Sequence, residues 1–247
     1  MSFDMFVRSV LMKTGATGGG GGSITYVGGD VVDDSNPATS SIDLTPTLPT
    51  HAADDFAILF FYRKESSVEP AITTPSGWTK LDENFTESTH KTATFYRKLT
   101  SSSETNPTVT STGDTGANGK CLVSVVVFRG VDTSTPFDVT YSNASHFLGG
   151  ALTDDSATFA PLPTITTTTN NCAIYVVQGS TGSAWDSQSP PSGYTETWQY
   201  DLSNLGGQDA YILDAGTAGS NAPEFQNVSD GGVGIQYGGY IFALRPA

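Results

Sequence analysis

The chain repeats itself at a fixed spacing. Asp55-Phe56-Ala57-Ile58-Leu59-Phe60-Phe61 returns as Asn171-Cys172-Ala173-Ile174-Tyr175-Val176-Val177, and Pro75-Ser76-Gly77-Trp78-Thr79 returns as Pro191-Ser192-Gly193-Tyr194-Thr195. Val125-Val126-Val127-Phe128-Arg129 returns as Tyr240-Ile241-Phe242-Ala243-Leu244-Arg245. All three pairs lie 116 residues apart (173 − 57, 191 − 75, 245 − 129). A shared offset across separated matches is the mark of a tandem duplication, which constrains the fold more than any composition does. It also provides an internal control, because a residue replaced freely between the copies is a poor candidate for chemistry.

The repeated segments read as strands. Residues 56–62, 122–128, 173–177 and 239–244 are almost continuously apolar, the pattern of central strands buried on both faces. Residues 92–99 alternate, with Ala93, Phe95 and Leu99 on one side and Thr94, Tyr96 and Lys98 on the other, which predicts a sheet wet on one face. No stretch beyond residue 17 holds helical spacing over ten residues, so crossover helices are missing and the sheets must be largely antiparallel. The expected fold is an all-β, antiparallel, jelly-roll-like β-sandwich with internal duplication. Copy one covers 23–130 and copy two covers 138–247, sharing one core; two tandem small sandwiches is the alternative. Ser23-Ile24-Thr25-Tyr26 is echoed by Asp138-Val139-Thr140-Tyr141, which places a first strand in each copy.

Residues 1–22 stand apart. Phe3, Phe6, Val7, Val10 and Leu11 fall at the spacing of a short amphipathic helix, and Gly18–Gly22 follow as a tether. Two readings stay open: a frayed terminus, or an arm that docks on another subunit through those five side chains. The start carries Asp4 and Arg8 within its apolar run, so no secretory signal is expected. No segment approaches the roughly 20 apolar residues of a membrane span, and no membrane association is expected.

Charge and chemistry narrow the function. Twenty-five acidic residues face 11 basic ones, a formal charge of −14. That argues against nucleic acid as a partner, since phosphate binding needs clustered Lys and Arg. His51, His90 and His146 form no metal-ligand spacing, and neither a nucleophile elbow nor a phosphate loop occurs, so catalytic, metal and cofactor residues are all expected to be none. Asp33-Asp34, Asp54-Asp55 and Asp154-Asp155 read as turns, the middle pair because it aligns with Asn170-Asn171. Cys121 and Cys172 read as small buried hydrophobes in preference to a disulfide. Trp78, matched by Tyr194, reads as a packing residue. Trp185, in Gly182-Ser183-Ala184-Trp185-Asp186, reads as an exposed loop aromatic and is the candidate for ligand or partner contact.

The opening Ile24-Thr25-Tyr26-Val27-Gly28, the turn at Pro75–Thr79, Phe95-Tyr96-Arg97-Lys98-Leu99, Val127-Phe128-Arg129-Gly130-Val131-Asp132 and the closing Ala243-Leu244-Arg245-Pro246 together resemble a broad group of duplicated β-sandwich structural proteins of tailed bacteriophages. The resemblance covers about residues 23–247. It implies a virion protein of the tail, fibre or capsid-decoration type, made in the host cytoplasm and held beside other virion proteins as a homo-oligomer in a symmetric particle. Its motifs mark the fold and bring no site residue with them. A carbohydrate-binding module that contacts a host surface glycan is the alternative function, and an enzyme the third class, lacking the convergent carboxylates it needs.

Overall fold

The computed structural model describes residues 23–34, 41–64, 69–86, 90–113, 120–139, 146–152, 164–180, 192–201, 207–221 and 235–247. Every ladder among them is antiparallel, and no helix occurs among them.

The first half of the chain builds two sheets. The large one has the order β1-β8-β3-β6-β5, from Thr25–Asp34, Lys120–Arg129, Phe56–Lys64, His90–Lys98 and Thr79–Thr86. The small one has the order β2-β7-β4, from Ser41–Leu44, Val109–Thr112 and Ala71–Thr73. The second half builds a large sheet β12-β13-β11-β15-β9, from Thr195–Asp201, Gly207–Asp214, Ala173–Ser180, Ile235–Leu244 and His146–Leu152. Its small sheet pairs β10 (Ile165–Thr166) with β14 (Ser220–Asn221). Reading β9 for β1, β15 for β8, β11 for β3, β13 for β6 and β12 for β5 turns the first large order into the second. The edge strands even bulge at the same place. Residues Lys80 and Asp82 lie opposite Phe95 and Thr94 with one residue squeezed between them, and Glu196 and Trp198 lie opposite Tyr211 and Ala210 in the same way. Bulges at an edge discourage pairing with another chain. β1 carries one at Val27 and β9 another at Gly150–Ala151.

Three apolar clusters hold these sheets. Ala57, Leu59, Phe61, Phe95, Val123, Val125 and Val127 face the small sheet of their own half, where Ile42, Leu44, Ile72 and Val109 meet them and Trp78 closes the end. Cys172, Ile174, Val176, Ile241 and Ala243 face the second small sheet with Ile165 and Tyr194. Between the two large sheets lies the third cluster, with Phe56, Ile58, Phe60, Tyr62, Val126 and Phe128 on one side and Ala173, Tyr175, Val177, Tyr240, Phe242 and Leu244 on the other. Edge β1 touches β12, and β6 touches β15, so the large sheets face each other in opposed left-to-right order. Continuous apolar strands are needed because these strands are covered on both faces. Ile58, Phe60, Val125, Val127, Ile174, Val176, Ile241 and Phe242 are each at most 2% exposed.

Several sequence expectations change here. The alternating strand β6 is wet on its polar side only at its end: Lys98 is exposed, but Thr94 is buried and Tyr96 half-buried, because the second large sheet covers that part of the face. Asp33 and Asp34 are the last residues of β1, paired with Leu122 and Cys121, while Ser35, Asn36 and Pro37 of the expected turn lie outside the described residues. Val139 lies outside any strand; the place beside β15 is taken instead by a bridge from Phe137 to Leu244 and then by β9. The 116-residue spacing also slips by one in β3 and β11. Asp54 and Asn171 both adopt positive φ (68° and 60°), which gives 171 − 54 = 117. The clasp of Asp54 and Asp55 on Leu99 recurs as that of Asn171 and Cys172 on Ala215 and Gly216. The stretch from that turn to the positive-φ glycine of the Pro-Ser-Gly turn is one residue shorter in the second half (193 − 171 = 22, against 77 − 54 = 23). A one-residue slip inverts a strand's faces. Ala57, Leu59 and Phe61 therefore point at the small sheet, whereas Ala173, Tyr175 and Val177 point at the shared core. Cys172 thus stands where the first half has Asp55, not Phe56.

Tyr194 fills the place of Trp78, but its buried hydroxyl has no partner among the described residues. Burial raises its pKa, since the phenolate would be stranded in an apolar cluster. Removing an unsatisfied buried hydroxyl removes a desolvation cost. Tyr194→Phe should leave stability unchanged or raise it by about 1 kcal/mol; a loss of stability in a urea melt would show that the hydroxyl has a partner.

Candidate functional site

The body is polarised along its strands. At one end, Ser23 enters beside Gly130, where a Cβ would lie 2.8 Å from the Ser23 carbonyl oxygen, so the positive φ of Gly130 (83°) and the close approach both call for glycine. Ala247 N–H donates to Gly130 O at 2.9 Å at the same end. The connection between the halves lies there too. Val131 bridges to Pro246, Phe137 bridges to Leu244, and Asp132 N–H and Arg245 N–H donate to Arg245 O and Pro136 O. This is the end from which residues 1–22 lead off.

At the opposite end lie Asp34, Lys64, Thr86 and Lys120 of the first large sheet and Leu152, Ser180, Asp201 and Ile235 of the second. These eight strand ends border residues 35–40, 65–68, 87–89, 114–119, 153–163, 181–191, 202–206 and 222–234, which lie outside the described set.

The Ser23 end is built on two carboxylates. Asp55 accepts two hydrogen bonds from Arg129, at 2.8 Å from Nε and 2.8 Å from Nη2, and a third from Ala52 N–H. Burial pushes its carboxyl up, but those donors and the positive charge of Arg129 outweigh burial and hold it below the usual carboxylate range. In the second half Cys172 has no carboxylate to offer Arg245, and Asp138 supplies it from the connection. Its side chain accepts from Thr168 N–H, Thr168 Oγ1 and Arg245 Nη2, the last at 3.4 Å. Burial again raises its pKa, and bonds from Thr169 and Thr168 bring it below the ordinary range. Cys172 is inert beside it, its thiol pushed up to about 11 by burial and by the Asp138 charge. Each half thus closes its base with a buried carboxylate under an arginine, Arg129 at the end of β8 and Arg245 directly after β15.

Sequence reasoning missed both carboxylates, one dismissed as part of a turn and the other never considered. The usable signal is the arginine retained at positions 129 and 245, since a guanidinium fork kept at the same place in both copies suits a bidentate carboxylate partner. Asp55→Asn should remove the Asp55 contribution to acid sensitivity. The folded pKa is lowered, so the stability it supplies is present above the unfolded value near 3.9 and lost as pH falls through the lowered folded value. The parent's melting temperature should therefore drop more steeply below about pH 4 than the variant's. The variant should also be roughly 2–3 kcal/mol less stable at pH 7. Parallel acid limbs for the two proteins would remove Asp55 from the account.

The other sequence candidates are scattered. Phe3, Phe6, Val7, Val10, Leu11 and Trp185 all lie outside the described residues. His51 is buried, its Nδ1 is 2.7 Å from Pro49 O, and its Nε2 has no partner among the described residues. His90 and His146 begin β6 and β9, which belong to different large sheets. Cys121 and Cys172 are free and buried. No group of three or more His, Cys, Asp or Glu fit to hold a metal ion occurs among the described residues. Two further buried cationic side chains are hydrogen-bonded among the described residues. Lys91 Nζ lies 2.5 Å from Glu69 and 2.6 Å from Glu83, and Arg63 donates to Ser111 Oγ at 2.7 Å.

No protein-family description matches the chain, and neither a curated protein nor a solved structure is similar to it.

Proposed function

We propose that this chain is a non-enzymatic structural protein of a tailed-phage virion, a capsid-surface decoration or a tail or fibre component, held in several copies through its N-terminal arm. The observation that carries the reading is the polarity of the body. The arm joins at the end where the halves are clasped together, and eight strand ends cluster at the other, so the molecule has an attachment end and a presenting end. The strand order supports a jelly-roll reading of the first half, with β1-β8-β3-β6 facing β2-β7-β4. The matching order of the second large sheet supports a tandem duplication. The buried carboxylates are engaged by arginine and threonine in holding the base closed, which suits a scaffold. The −14 charge suits an exposed position on a particle made in the host cytoplasm, beside other virion proteins and further copies of itself.

Attachment would run through Phe3, Phe6, Val7, Val10 and Leu11, each contributing roughly 1.5–3 kcal/mol if fully buried, offset in part by ordering the arm. Multivalent attachment in a symmetric particle makes weak individual arms sufficient. Deletion of residues 1–22 should leave the melting curve unchanged and abolish incorporation into particles. Incorporation at the parental level would remove the arm from the mechanism.

A second reading, host-glycan binding, draws on one observation. Trp185 belongs to 181–191, which continues from Ser180 at the presenting end. A glycan array with the whole protein decides it: a hit lost in Trp185→Ala supports this reading, and an array without hits removes it.

A further inference from the structure

We draw no further inference here: the strongest candidate, the outer edge of β9, which unlike the other three large-sheet edges carries no Asp, Glu, Lys or Arg, is interrupted by its own bulge, and nothing among the described residues shows what covers it.

Discussion

Expressed without residues 138–247, the first half should fail to form a soluble, cooperatively melting monomer. Its large sheet would present Phe56, Ile58, Phe60, Tyr62, Val126 and Phe128 to water on one continuous face. Each of these large side chains gains roughly 1.5–3 kcal/mol from burial, so the six together are worth on the order of 9–18 kcal/mol. That is an upper estimate, because the unfolded chain already hides part of this surface. It is still comparable to the 5–15 kcal/mol total stability of a typical domain. The clasp at the base adds to the dependence, since Gly130, Val131, Asp132, Pro136 and Phe137 all bond or bridge to residues 244–247. The measurement is sedimentation and thermal melting of residues 1–137 beside the full chain. Aggregation, self-association or loss of the cooperative transition is expected. A monomer with a sharp melt would show that the first half's own small core suffices.

Phe60→Ala should cost about 3–5 kcal/mol, the range for truncating a buried phenylalanine. Phe60 is 1% exposed and meets Tyr240 edge to face, with ring centroids 5.6 Å apart. Tyr240 in turn holds the halves together through a 3.0 Å hydrogen bond between its hydroxyl and Thr92 Oγ1. The cavity would open between two sheets that are each braced on their far face, so collapse around it is restricted. In a chain of this size the melting temperature should fall by roughly 6–20 °C. A variant that melts within a degree or two of the parent would mean that Phe60 does not sit between the sheets.

Features that depend on local pattern are legible in the amino-acid order alone. Continuous apolar runs at 56–62, 122–128, 173–177 and 239–244 mark strands covered on both faces, because any exposed face would select polar residues. The Pro-Ser-Gly turns predict a break that glycine alone fills without strain, and Gly77 and Gly193 both sit at positive φ. The repeated order of those signals pointed to two similar halves. Phe3, Phe6, Val7, Val10, Leu11 and Trp185 stay where the sequence alone leaves them, since the described residues do not include them.

What covers each face emerges only once the strands have packed. A strand's periodicity says that a side chain is buried or wet, and not which surface buries it. The polar side of β6 therefore read as solvated, although the second large sheet lies across it. Facing is also a matter of parity: one residue fewer between Asn171 and Gly193 than between Asp54 and Gly77 shifts β11 by one against the 116-residue alignment, so residues matched at that spacing point to opposite faces, and no similarity of composition along the strand reveals that. The bonds that close the base are non-local in the same sense. Asp55 meets Arg129 across 74 residues, and Asp138 meets Arg245 across 107. Their chemistry is visible in the sequence as acids and arginines, but their pairing exists only after the strands have stacked.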